Sequence, residues 1–369
     1  MLKIRSVEAI PLNASLRHTL RFGTVDRKQS QNVVVRITTE DGLVGYGEAC
    51  PVPAFTRETQ ASITALIEGE LQDVLVGVDA LQRDPLLERL EALLPDQPFA
   101  LASIDIALWD LAGRALNVPV STLLGGRFRE RVDVHGSIGI GDVEEMVVQA
   151  QGQVGMGYRA LKLYAGRDAL DSDLARLRAV REAVGPDIAF ILDINGLWDA
   201  ETCLQALPAL DELGVIALEQ PLTPDDVAGQ AQVTAAAPMG VAADEAVFTP
   251  ADVVSIGMAR TASVINLGLS KLGGLRRSRA CATVAAAAGL GTLVGSVVEL
   301  GIATAAGLHL AASLPELEYP TYLVGPLKYE QDIAAQPLEL VDGTVAIPSG
   351  PGLGIEVDEE VLRRMDMRS

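Results

Sequence analysis

Residues 159–165 read RALKLYA, 188–194 IAFILDI, 215–221 VIALEQP and 240–246 GVAADEA. Each is a short apolar run that closes on polar residues, and each is followed by a stretch with helical periodicity. The same pattern begins earlier, at VDVHGSI (132–138), and continues through SVINLGL (263–269), GTLVGSV (291–297) and YPTYLVG (319–325). Runs without an exposed polar face, alternating with helices, belong to a parallel sheet covered on both sides. Eight such units over ~200 residues predict an α/β fold, a (β/α)8-type barrel.

Upstream the pattern differs. Val33–Thr38 and Leu43–Gly47 are β-rich runs separated by Glu40-Asp41-Gly42, a hairpin turn. From about residue 59 the period becomes helical, with Ile104, Ala107, Leu108, Leu111 and Leu116 on one face, until Asn117-Val118-Pro119 and then Gly125-Gly126 stop it. The expected organisation is an α+β capping domain at 1–125, the barrel at 126–325, and a segment at 326–369 that packs back on the cap. The 369 residues carry 29 Lys and Arg against 49 Asp and Glu, a net charge of −20. That balance excludes nucleic acid as a partner, since phosphate binding needs clustered cations. No apolar run is long enough to cross a membrane, and the start lacks a signal-peptide pattern. Cys50, Cys203 and Cys281 have no CxxC spacing and read as reduced thiols, which implies a cytoplasmic protein.

Catalytic groups of such barrels sit where the strands end. Those positions hold Lys162 and Tyr164; Asp193 and Asn195; Glu219; Asp244 and Glu245; Asn266 and then Lys271; Ser296 and Glu299. Asp193, Glu219 and Asp244 are 26 and 25 residues apart, one βα unit each. One acidic residue after a strand is usually a helix cap. Three in consecutive units point into one mouth, where they would repel one another. A hard divalent cation relieves that repulsion, and an all-oxygen set suits Mg²⁺, with Mn²⁺ able to stand in.

The motifs GLVGYGEACP (42–51), ASIDIALWDLAGRALNVPVSTLLGG (102–126), ALKLYAG, LDIN, LEQP, ADE, INLGLSKLGG and ELGIATAAGLHLAA occur in an order that resembles the enolase superfamily. Within it the chain is similar to the muconate lactonizing subgroup of the mandelate racemase/muconate lactonizing enzymes. The resemblance implies an enolase-like modified TIM barrel, a homo-oligomer, and a small-molecule carboxylate substrate that reacts through an enolate. It implies Asp193, Glu219 and Asp244 as magnesium ligands. Lys271 becomes the acid/base, and Lys162 the first lysine of a KxK motif. Asn195, Glu245 and Asn266 become supporting groups, and Ser296 and Glu299 pocket residues. The second KxK lysine is replaced by Tyr164, and Gly268 stands where another lysine is frequent. One retained acid/base suits a muconate-type cycloisomerase. A racemase, epimerase or dehydratase using Lys271 with Tyr164 is the alternative, and a non-catalytic carboxylate-binding protein is a second. TYLVGPLKYEQDI (321–333) lacks the acidic pair that captures a substrate ammonium in the dipeptide epimerases. The loop at 15–28, with Arg17, His18, Arg21, Arg27 and Lys28, is expected to lie over the mouth and to favour an anionic substrate, such as a dicarboxylate.

Overall fold

The computed structural model describes residues 1–368. It opens with a three-stranded antiparallel sheet, β1 (Ile4–Phe22), β2 (Val25–Thr39) and β3 (Val44–Ala49), in the order β1-β2-β3. Glu40–Gly42 form the expected turn, with Gly42 at φ +87°. The residues read as a basic loop are strand instead. β1 and β2 pair out to Phe22 opposite Val25, so 15–28 is the far end of a long hairpin. Its alternating Leu20, Phe22 and intervening charges are a strand pattern that the charges obscure.

The helix Pro98–Leu116 lies across this sheet and is buried from Pro98 to Gly113. Gly45 and Gly47 face it at close range. A Cβ on Gly47 would fall 1.7 Å from the Ser103 carbonyl oxygen, so the VGYG sequence is what lets the helix approach. Asn117 caps that helix in the left-handed conformation, φ 55°.

The chain then enters β4 (Arg131–Asp133) and a seven-stranded parallel sheet. Its members are β5 (Gly136–Ile138), β6 (Ala160–Tyr164), β7 (Ala189–Asp193), β8 (Val215–Glu219), β9 (Gly240–Ala243), β10 (Val264–Asn266) and β11 (Gly291–Leu293), in sequence order around the sheet. Two of the eight expected runs behave differently from a plain strand. VDVHGSI divides: β4 pairs with the late hairpin β12 (Leu340–Val341) and β13 (Thr344–Ala346), and only β5 joins the parallel sheet. YPTYLVG forms no strand. Pro320 has no N–H to donate and Gly325-Pro326 ends the run, so only Thr321 bridges to Val134. The segment still closes the barrel, because Thr321 N–H donates to Asp133 O (2.8 Å) and Tyr322 N–H to Val294 O (3.1 Å).

The last helix, Glu359–Met365, rests on the first sheet. Arg36 on β2 is held between Glu8 (2.7 Å) and Glu359 (3.0 Å), and Met367 N–H donates to Pro11 O. Among the described residues no helix is long and apolar enough to cross a membrane.

Candidate active site

β6 through β11 place the polar residues at and after their ends around one pocket. Lys162, Tyr164, Asp193, Asn195, Glu219, Asp244, Asn266, Lys271, Ser296 and Glu299 all line it. Glu245 stands behind, accepting from the Asn195 amide (2.9 Å). Parallel register explains the assembly: Asp193 pairs with Glu219 across β7 and β8, and Tyr164 with Asp193 across β6 and β7. Apolar side chains at alternate positions fix which way the strand ends face.

The Lys162 ammonium lies between two carboxylates, 2.7 Å from Asp193 Oδ2 and 2.7 Å from Glu219 Oε1. Burial opposes its charge, but the two carboxylates outweigh that and raise its pKa well above a free lysine's. Burial raises the Asp193 and Glu219 carboxyls, and Lys162 holds them down. Asn266 Nδ2 donates to Glu219 Oε1 at 2.9 Å. On the other side Lys271 Nζ reaches Asp244 Oδ1 (2.9 Å), Asp244 O (2.5 Å) and Val247 O (2.9 Å).

The donor set can be tested for a hard cation. As the side chains stand the three carboxylates do not form a closed ligand group, because each is engaged by a lysine. Their chemistry and placement nevertheless fit such an ion: three carboxylates at adjacent strand ends, Asp193 and Glu219 buried and Asp244 half-buried. Around them, Asn195 Oδ1, Glu245 Oε2 and Asn266 Oδ1 are buried without a hydrogen-bond partner. Orphaned oxygens gathered around carboxylates are what a cation and its retained waters would satisfy.

The segment 15–28 lies over the mouth as expected, though as strand, and two further features, at Arg167 and Gln220, were not readable in the sequence. The pocket is roofed by Leu20 and Phe22 of the hairpin and by Phe55, with Phe22 against the Tyr164 ring at 5.9 Å. Arg167, just after β6, pins the hairpin tip by donating to Asp26 (2.9 Å) and to the carbonyls of Val25 (2.9 Å) and Gly23. Gln220, at φ 36°, accepts from the Asp244 N–H (2.9 Å) and so aims that carboxylate. Gly268, singled out only as a missing lysine, is where Lys271 packs: a Cβ there would meet Lys271 Cε at 2.8 Å.

The basic residues of 15–28 do not line this pocket. Arg17, His18 and Arg21 face a separate groove beside the helix Val143–Gly155, where Arg21 pairs with Glu145 at 2.7 Å. Lys28 is exposed, and Arg27 is buried behind the pocket wall. Strand alternation is the reason: Leu20 and Phe22 face inward, so Arg21 faces out. An anionic substrate therefore finds no support in these side chains. Tyr164 is not activated either, since burial, opposed by Lys162, raises its hydroxyl well above the usual pKa near 10.

Residues 6–125 match the mandelate racemase/muconate lactonizing enzyme N-terminal domain family, and residues 145–361 the enolase C-terminal domain-like family. The chain belongs to the enolase superfamily, in its muconate lactonizing branch. It is 34% identical to muconate cycloisomerase 1 of Rhodococcus opacus over 367 residues, 98% of each chain. It is also 31% identical to the L-Ala-D/L-Glu epimerase of Bacillus subtilis over 349 residues, 94% of each. Among solved structures, the muconate lactonizing enzyme from Pseudomonas fluorescens in complex with muconolactone superposes with a TM-score of 0.95 at 32% identity, covering 99% of both chains. Family membership thus covers the barrel and the cap, and the superfamily's relatives include both cycloisomerases and epimerases.

Proposed function

We propose that this protein is a Mg²⁺-dependent isomerase of the muconate cycloisomerase type, acting on a small carboxylate, with Lys271 as its acid/base. The observation that carries this reading is the asymmetry of the pocket. β6 and β10 stand four positions apart around the barrel, on opposite sides. Lys271 follows β10, whereas the facing position on β6 is Tyr164, whose hydroxyl is held protonated by burial. Chemistry that moves one proton on one face of a carbon suits such a site.

Asp193, Glu219 and Asp244 would hold the ion. When bound, it disperses the second negative charge that develops on the substrate carboxylate in the enolate. Lys162 stays cationic between its two carboxylates and orients the substrate carboxylate electrostatically. In the lactone-forming direction one substrate carboxylate adds to an alkene carbon, and Lys271 gives a proton to the resulting enolate carbon. In the reverse direction Lys271 takes it back. Leu20, Phe22 and Phe55 keep bulk water from that carbon.

The test is a screen of carboxylates, muconates included, with Mg²⁺ in D₂O. The expected result is a lactone carrying one deuterium on one face. The racemase or epimerase reading keeps one observation in its favour, that Tyr164 does line the pocket. It prevails if both enantiomers of an α-substituted carboxylate exchange their α-proton at comparable rates. A protein that binds Mg²⁺ and carboxylates yet exchanges nothing is the non-catalytic member.

A further inference from the structure

Arg27, on β2, is a buried cation with no carboxylate in ion-pairing range among the described residues. One arm donates to the Val297 carbonyl at 2.7 Å. The other donates to Cys50 Sγ at 3.0 Å and to Ser30 Oγ. Burying a guanidinium with neutral acceptors alone is unfavourable, so the place where its donors go is informative.

One arm goes directly to a strained part of the pocket wall, at Val297, and the other to Cys50, which itself contacts the Val297 and Val298 carbonyls. Val298 has φ 65°, a conformation that a β-branched residue adopts only when its surroundings impose it. Its carbonyl accepts from Tyr329 (2.5 Å) and from Cys50 (3.5 Å), and its N–H donates to Ser296 Oγ (2.8 Å). Val297 and Val298 line the pocket. The same turn carries Glu299, whose carboxylate accepts from Ser296 and, at 2.7 Å, from Ser270. Ser270 immediately precedes Lys271 in the helical turn Leu269–Leu272.

We propose that Arg27 is a positioning residue: by holding the Val297 carbonyl it keeps the 296–299 turn in its left-handed form, and through the Ser296–Glu299–Ser270 link it keeps Lys271 aimed into the pocket. The inference rests on the reading of this pocket as the catalytic site. Arg27 does not line the pocket and acts only through its wall. Substrate affinity, set by the ion and Lys162, should therefore be spared while the proton-transfer step suffers.

The experiment compares Arg27→Gln and Arg27→Lys with the unaltered protein by peptide-resolved amide exchange, Mg²⁺ titration, and turnover in D₂O. Arg27→Gln should raise exchange in the 295–301 peptide by about tenfold and leave the 189–195 peptide and Mg²⁺ affinity unchanged. On whichever carboxylate the unaltered protein turns over, kcat should fall by up to ~10²-fold, with KM within about twofold, the scale expected for a small misplacement of a catalytic group. Arg27→Lys keeps one donor for Val297 and should fall between the two; it carries the same readouts if Arg27→Gln does not fold. Unchanged exchange at 295–301, or an unchanged kcat in both variants despite a lower Tm, overturns the proposal and leaves Arg27 a packing residue. Selective loosening of 295–301 in a protein that turns over no carboxylate upholds the positioning role and removes the catalytic reading instead.

Discussion

On one side of the pocket, Asp193 and Glu219 stand at the ends of adjacent strands and share the Lys162 ammonium inside the barrel, while Asp244, at the next strand end, is met from across the pocket by Lys271. On the other, Lys271 and Glu299 stand beyond the strand ends, on segments that the N-terminal region grips from outside. Glu48 on β3 accepts from the Leu300 N–H (2.7 Å) and the Ala303 N–H (3.0 Å), at the start of the helix Gly301–Ser313. Asp105 accepts from the Leu275 N–H, at the start of the helix that follows Lys271. The carboxylate side is thus organised by charge within the barrel. The Lys271 side is organised by a second domain, through helix starts and backbone carbonyls. In the proposed reaction, such a two-part site would largely separate what holds the ion from what moves the proton, with the Lys271–Asp244 contact at 2.9 Å as the link between them.

That separation can be broken most severely at Lys271. Lys271→Ala should lower turnover by ~10²–10⁴-fold and leave Mg²⁺ binding intact, while Tyr164→Phe should be much milder; kinetics alongside titration calorimetry decides. Equal damage from the two would make the site symmetric. On the other side, Lys162→Met leaves two buried carboxylates without their shared cation. Loss of one partner from such a group costs ~3–5 kcal/mol, so Tm should drop sharply without metal. Saturating Mg²⁺ should restore much of it, because the ion replaces the missing positive charge.

A smaller effect belongs to the grip of the cap. Glu48→Ala orphans the buried N–H groups of Leu300 and Ala303 and the Asn32 amide, and should cost about 1–3 kcal/mol of stability with no change in Mg²⁺ affinity. Smaller again, Gly268→Ala presses a methyl on the Lys271 stem and should reduce kcat about tenfold, with the ion bound as before. Last is the pH dependence of ion binding. Burial raises the Asp193 and Glu219 carboxyls, so in the metal-free protein they take up protons at higher pH than free carboxyls do. Mg²⁺ needs them deprotonated. Its affinity should therefore rise with pH through the neutral range and weaken on acidification, with proton release measurable by calorimetry in buffers of different ionisation enthalpy.

The two sides were unequally legible in the sequence. Asp193, Glu219 and Asp244 stood out because an acidic residue closing an apolar run recurs once per βα unit, and Lys271 because SKLGG is a local motif. The barrel could be counted from the same runs, except where Pro320 and the split at His135 changed strand into something else. The grip from the cap left no such mark. Glu48, Asp105 and Arg27 act on partners 252, 170 and 270 residues away, and nothing local in the chain distinguishes them from ordinary polar residues of a strand or helix. The hairpin at 15–28 was misread for a related reason, since its charges alternate with the very side chains that roof the pocket.

The resting place of the last helix bears on how the chain comes to be folded. Glu359 is bound by Arg36, Arg368 reaches back to Glu8, and β4 finds its partner in Thr344–Ala346. During synthesis, therefore, the first sheet emerges more than three hundred residues before the segment at 359–368 that covers its flank. Contacts of such long sequence separation form late and slowly. Removing residues 359–368 would therefore be felt at the other end of the fold, exposing the flank of β1 near Pro11 and Leu12 that this segment covers.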